Sequence, residues 1–186
     1  MSNADVIIEI LQREGIEYLA GFPNNRLFNS AASHGMRPLI ARTERVAINM
    51  ADAYTRMHNG RRIGVVAVQD GPGIEASFPA VAQAYGDNTP ILLLPGAHSP
   101  AMQDYEPQFI ASRSFRDITK MSGLVNDART LPRRLEMAFS ALKNGKPGPV
   151  LLEMAFVLEP QIDVIPFCHP PEFFYMPSGL PGRLGQ

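Results

Sequence analysis

Residues 63–73 read Ile-Gly-Val-Val-Ala-Val-Gln-Asp-Gly-Pro-Gly and decide the fold of this chain. The first six residues are a run of β-branched and small apolar side chains, which is typical of a strand covered on both faces. Asp70 to Gly73 are predicted to form a turn, and Ile74 to Tyr85 a helix. A buried strand that leads through a short turn into a helix is the repeating unit of a parallel α/β sheet.

The same alternation of strand and helix patterns extends on both sides of this stretch. Strands are predicted near residues 18–20, 38–41, 63–68, 91–94 and 149–154, and helices near residues 3–14, 26–34, 43–58, 74–85 and 127–143. We therefore expect an α/β fold with a doubly wound, mainly parallel sheet and helices on both faces.

The composition fits one domain followed by an extension. The chain has 186 residues, of which 45% are hydrophobic, and this is enough for one good core. Six prolines between Pro160 and Pro181 prevent regular helix formation near the end of the chain. We expect a domain over residues 1–158 and a proline-rich extension or linker over residues 159–186.

Charge and cysteine content argue against several classes of function. The 17 basic and 18 acidic residues give a net charge of -1, so no nucleic-acid partner is expected. The single cysteine, Cys168, cannot form an internal disulfide or a metal site built on paired thiolates. No apolar stretch approaches the roughly 18 residues of a membrane helix. We therefore expect a cytoplasmic protein that has neither a membrane partner nor a metal site of its own.

Four segments follow predicted strands, where an open α/β sheet binds its ligands. They are residues 21–25, 42–44, 69–73 and 95–98. Glu44 begins a predicted helix, and the helix dipole alone is a sufficient reason for an acid in a first turn. The four histidines show no metal-ligand spacing, and His98 is the one that falls on the predicted ligand edge.

Five segments in order resemble the N-terminal, pyrimidine-binding domain of thiamine-diphosphate enzymes, especially the acetolactate synthase and benzoylformate decarboxylase group. The resemblance covers roughly residues 3–157 and implies the thiamine-diphosphate-binding fold. The matching segments are Gly21-Phe22-Pro23-Asn24, Arg42-Thr43-Glu44-Arg45 followed by residues 51–56, Gly71-Pro72-Gly73, residues 84–90, and residues 146–150.

The resemblance implies a catalytic role for Glu44. In the family, the glutamate at this position hydrogen-bonds N1′ of the aminopyrimidine and favours the tautomer that removes the proton from thiazolium C2. The cofactor carries the chemistry, while the protein orients it. The residues expected to bind the cofactor are Phe22, Pro23, Asn24, Glu44, Gln69, Gly71 and Gly73.

The sequence also departs from the family pattern. Asn24 replaces the usual glycine, and Gln69 falls where some decarboxylases carry a catalytic histidine. Gln108 is displaced by one position from the glutamine of a phenylalanine–glutamine pair that carboligases use. For these reasons the sequence leaves three points open. They are the particular 2-oxo acid, the choice between decarboxylation and carboligation, and any flavin dependence.

The resemblance implies that other parts of an enzyme are needed. Family members bind the diphosphate and Mg²⁺ through a separate domain marked by Gly-Asp-Gly and a later asparagine, and this sequence contains no such pattern. The expected cofactors are thiamine diphosphate and Mg²⁺. The expected partners are a diphosphate-binding domain or subunit, further copies in a homodimer or higher oligomer, and a 2-oxo acid substrate. The chain alone is expected to be inactive.

Two other interpretations remain open at this point. The chain could be the complete small subunit of a split 2-oxo acid decarboxylase, similar to sulfopyruvate or phosphonopyruvate decarboxylase. It could also be a non-catalytic α/β binding module.

Overall fold

The computed structural model describes residues 2–22, 25–102, 105 and 108–155. Within these residues, six parallel strands form one sheet in the order β2-β1-β3-β4-β6-β5. The chain runs outward from β1 to β2 and then returns to β3, so the switch point of the sheet lies between β1 and β3. The strands are β1 (Tyr18–Phe22), β2 (Arg37–Ile40), β3 (Gly64–Val68), β4 (Ile91–Pro95), β5 (Met121–Val125) and β6 (Val150–Met154).

Helices cover both faces of the sheet, which confirms the predicted doubly wound α/β fold. Residues of α1, α2 and α6 form one buried apolar cluster with alternate strand residues, and residues of α3, α4 and α5 form the other. The helices are α1 (Asn3–Arg13), α2 (Asn25–Ser33), α3 (Glu44–Met57), α4 (Pro72–Gly86), α5 (Ala111–Ser114) and α6 (Leu131–Lys143).

Two elements, β5 and α5, were not predicted from the sequence. The helix predicted from residue 127 also begins later, at Leu131, after a 3-10 turn over Ala128–Thr130. The predicted extension, residues 159–186, lies outside the described residues. None of the helices in the described ranges has the length and apolarity that crossing a membrane requires.

Helix α3 lies very close to β3 because Gly64 has no side chain. A Cβ atom built on Gly64 would stand 2.3 Å from the carbonyl oxygen of Ala51 and 2.7 Å from its Cα. The buried hydroxyl of Thr55 joins the two elements: it donates to the Ala51 carbonyl at 3.0 Å and accepts from the Gly64 amide at 2.8 Å. The position of α3, and therefore of Glu44 at its first residue, depends on this contact.

We expect Thr55→Val to lower the free energy of unfolding by about 1–3 kcal/mol, because it leaves the buried Gly64 amide without a partner. Thr55→Ser is the matched control, since serine keeps the hydroxyl and loses only a methyl group. Urea unfolding of the full chain measures both variants. A valine variant as stable as the wild type would show that the hydroxyl does not hold α3 to β3.

Candidate functional site

The loop after β2 places Glu44 at the carboxyl edge of the sheet. The Ala41 amide donates to the Gly21 carbonyl at 2.8 Å, which holds this loop beside the end of β1. Thr43 caps α3, because its side chain accepts a hydrogen bond from the Val46 amide at 3.3 Å. Glu44 is only 9% exposed, although acids in a first helical turn ordinarily face solvent.

The turn between β3 and α4 supplies the opposite wall. Gly71 has φ 56° and ψ -118°, a conformation that favours glycine, and Pro72 begins the helix with its fixed φ. Gly73 is buried in the first helical turn. A Cβ atom at Gly73 would lie 2.5 Å from Cγ of Gln69 and 3.3 Å from Oε1 of Glu44. The structure therefore brings Glu44, Gln69 and Gly73 close together, and any side chain at position 73 would crowd the other two.

Phe22 ends β1 at the same edge. It pairs with Val68 in the neighbouring strand, so it stands one register position before Gln69. Phe22 is half-buried. Pro23 and Asn24, which were predicted to contact the cofactor, lie outside the described residues.

The carboxylate of Glu44 has no hydrogen-bond partner in the described part of the chain. It lies against the first turn of α4 and belongs to the first turn of α3. The partial positive charges of two helix N-termini therefore lie close to this carboxylate. A buried carboxylate that lacks a partner is suited to accept a hydrogen bond from a ligand, or to donate one when it is protonated.

An ion-pair network fixes α3 relative to the end of α4. The guanidinium of Arg56 binds both carboxylate oxygens of Asp52, at 2.8 and 3.1 Å, and Asp87 at 2.7 Å. Hydrogen bonds to Asp52 and then to Asp87 raise the pKa of Arg56 above its ordinary value. Asp52, Arg56 and Asp87 all belong to segments that carried the family resemblance. In this structure they connect α3 to α4 and lie away from the Glu44 edge.

The histidines differ in role according to their position. His34 and His58 contact the backbone carbonyls of Ser30 and Tyr54, at 2.9 and 2.8 Å, as structural histidines do. His98, on the ligand edge, has its Nδ1 atom 3.6 Å from a carboxylate oxygen of Asp70. His169 lies outside the described residues. No group of three or more metal-ligating side chains comes together within the described ranges.

Arg26 was not identified as a site residue from the sequence. It lies in the first turn of α2, directly after β1, and its Nη1 atom is buried without a hydrogen-bond partner among the described residues. An unsatisfied buried N–H is unfavourable and is uncommon in folded proteins. The sequence signal that could have identified it is a cation two residues after the Gly21-Phe22-Pro23-Asn24 segment, which was expected on the ligand edge.

The fold and this edge define a class: a doubly wound α/β domain with a buried, unpartnered carboxylate beside its switch point. Residues 1–119 match the family model of the thiamine pyrophosphate enzyme N-terminal TPP binding domain. The chain belongs to this family.

Curated relatives cover most of this chain. It is similar to the acetolactate synthase large subunit of Haemophilus influenzae, with 30% identity over 164 residues, or 83% of this chain. It is also similar to the glyoxylate carboligase of Escherichia coli O157:H7, with 31% identity over 189 residues, or 96% of this chain. The acetolactate synthase isozyme 3 large subunit of Escherichia coli K12 is 28% identical over 160 residues, or 83% of this chain. The matched region spans only 28% to 31% of the length of these three relatives.

Proposed function

We propose that this chain holds the aminopyrimidine of thiamine diphosphate against Glu44, as part of an enzyme that decarboxylates or carboligates 2-oxo acids. The observation that carries the proposal is the Glu44 carboxylate, which is 9% exposed and lacks a hydrogen-bond partner among the described residues. The residue beside it is a glycine, and any side chain there would crowd the carboxylate, since a Cβ atom at Gly73 would lie 3.3 Å from Oε1. A carboxylate without a protein partner among the described residues supports the proposal, because an aminopyrimidine offers polar ring atoms that it can hydrogen-bond.

Each predicted residue has a defined task in this proposal. Glu44 shares a proton with the ring nitrogen nearest to it, and its low exposure strengthens that hydrogen bond. Gly73 leaves room for the ring, and Gly71 allows the turn that brings Gly73 there. Phe22, Pro23 and Asn24 pack against the ring from the end of β1, while Gln69 contacts its polar edge.

Bound thiamine diphosphate would supply the nucleophilic carbon for chemistry at the carbonyl of a 2-oxo acid. The chain's own residues orient the pyrimidine, exclude water and control the proton at the ring nitrogen. Mg²⁺ and the diphosphate group belong to a second domain or subunit in this proposal. The domain over residues 1–158 then forms one wall of the active site, and residues 159–186 lead toward the next part of the enzyme.

The surface beside the site supports the expectation of a partner. Val46 and Met50 of α3 and Phe78 of α4 are large apolar side chains that are 46%, 36% and 40% exposed. Exposed apolar side chains on two adjacent helices are suited to contact another protein surface. We propose that a diphosphate-binding domain, in an oligomer with at least two copies of this chain, covers them.

The experiment is an assay of the assembled enzyme. The chain is combined with its diphosphate-binding domain, thiamine diphosphate and Mg²⁺, and the consumption of a panel of 2-oxo acids that includes glyoxylate is measured. We expect consumption of at least one acid, and expect it to stop when thiamine diphosphate or the second domain is omitted. An assembly that binds the cofactor and consumes none of the acids would favour a non-catalytic module.

A further inference from the structure

A second concave site lies on the same edge of the sheet, beyond β4. It is a cavity of about 450 Å³ at the ends of β4, β5 and β6. This volume is within the range of pockets that hold small organic molecules. Its polar walls include His98, Arg113, Arg116, Ser122 and Glu153, and its apolar walls include Phe109, Ile110 and Leu124.

The charges that line the cavity favour an anion. Arg113 and Arg116 form no ion pair with any residue that the structure describes. Glu153, 3% exposed, is the one carboxylate among the lining residues that the structure describes. Its two oxygens accept hydrogen bonds from the backbone amides of Ala111 and Ser112, at 3.1 and 2.7 Å. Because those amides compensate Glu153, the two guanidinium groups are the uncompensated charges among the described lining residues.

The segment that carries the two arginines is held in place by several contacts. Glu153 fixes the start of α5 to β6, and the Ser122 hydroxyl donates to the Ser112 carbonyl at 2.8 Å, which fixes α5 to β5. Phe115, between the arginines, is fully buried and packs edge-on against Phe78 with ring centroids 5.1 Å apart. The backbone that carries Arg113 and Arg116 is therefore fixed before a ligand binds, and the ordering cost falls on the two exposed arginine side chains.

The cavity is adjacent to the Glu44 site without being part of it. His98, in the cavity wall, lies 3.6 Å from Asp70, and Asp70 begins the turn that carries Gly73. We infer that this cavity binds a small organic anion, whose carboxylate or phosphate oxygens contact Arg113 and Arg116 and whose carbon skeleton packs on Phe109 and Leu124. The inference does not require the cofactor role of Glu44.

Calorimetric titration of the full chain tests this inference. The probes are malonate, a dicarboxylate, glycerol 3-phosphate, a phosphate ester, and glycerol, a neutral control. We expect saturable binding of at least one anion and none of glycerol. The tighter of the two anions identifies which oxyanion the cavity prefers. Absence of saturable binding for both anions overturns the inference.

Matched arginine variants separate a built site from general charge. We expect the double variant Arg113→Gln with Arg116→Gln to weaken anion binding at least tenfold, since bidentate guanidinium contacts are strong and specific. The control is Arg133→Gln with Arg134→Gln, which removes the same charge from α6, outside the cavity lining. Equal weakening in both double variants would show that the anions respond to net charge alone and would overturn the inference. Urea unfolding confirms that both double variants are folded.

Discussion

Glu44→Gln is expected to lower the cofactor-dependent consumption of 2-oxo acid by the assembled enzyme at least about 100-fold, since positioned proton transfer contributes 10²–10⁴-fold. Glutamine keeps the size and hydrogen-bonding capacity of the side chain, but it cannot share a proton with a ring nitrogen in the way that a carboxyl group does. The effect should fall on the turnover number, with little change in the affinity for the 2-oxo acid. Steady-state kinetics at saturating thiamine diphosphate measure both quantities.

The control for Glu44 is Glu75→Gln. Glu75 is also an acid in a first helical turn on the same edge of the sheet, but it is exposed. If the role of Glu44 came only from favourable charge at a helix N-terminus, the two variants would behave alike. Equal activity of Glu44→Gln and the wild type would refute the proposed role, provided that urea unfolding shows both proteins folded.

Gly21→Ala is expected to destabilise the fold most among single substitutions of the described glycines. A Cβ atom at Gly21 would stand 2.0 Å from the carbonyl oxygen of Ala67 and 2.6 Å from Cζ of Phe28. The phenylalanine can rotate, but Ala67 belongs to β3 and pairs directly with Gly21. Strands β1 and β3 must therefore separate at the switch point. We expect a loss of about 3 kcal/mol or more in the free energy of unfolding, at the upper end of typical overpacking effects.

Gly123→Ala is the matched control for this prediction. Gly123 is also a strand glycine, in β5, and a Cβ atom there would meet only Cδ2 of Leu152 at 3.8 Å, an ordinary contact. Urea unfolding of the two variants compares them directly. The native state of a typical domain is stable by only about 5–15 kcal/mol, so the Gly21 effect is easily measured. Similar midpoints for the two variants would contradict the close approach of β1 and β3.

The central part of the fold was predictable because its strands are fully buried. Residues 64–68 and 91–95 are buried along their whole length, and a strand of this kind shows itself as a continuous apolar run. The edge strand β5 was not predicted, since Met121-Ser122-Gly123-Leu124-Val125 mixes apolar and small polar residues and four of its five residues are only half-buried. Helix α5 has four residues, too few to show a helical period.

The candidate site could be predicted only in part. Parallel topology was enough to place Glu44, Gln69 and Gly73 on one edge of the sheet, because the carboxyl ends of parallel strands meet there. The burial of Glu44 and its contact distance to Gly73 depend on how closely α3 packs on β3, and no local pattern reports that distance. Similarly, the spacing of Asp52 and Arg56 predicts an ion pair on one helix, but Asp87 joins it only through tertiary structure.

The cavity beside β4 could not be predicted from the sequence, for a related reason. Its arginines lie in a segment without a clear periodic pattern, and Glu153 lies inside a strand that is buried along its length. Only the fold shows that Glu153 uses both oxygens to hold α5 and leaves Arg113 and Arg116 without a carboxylate partner among the described residues.

The most direct measurement for the central claim is the rate of hydrogen–deuterium exchange at the thiazolium C2 of thiamine diphosphate bound to the assembled enzyme, because it reports activation before any substrate reacts. We predict exchange in the wild-type enzyme that is faster than that of the free cofactor, and exchange in Glu44→Gln that is slower than in the wild type by at least about 100-fold. Equal exchange rates in the wild-type and Glu44→Gln enzymes, with cofactor bound to both, would contradict the assignment of Glu44 as the activating carboxylate.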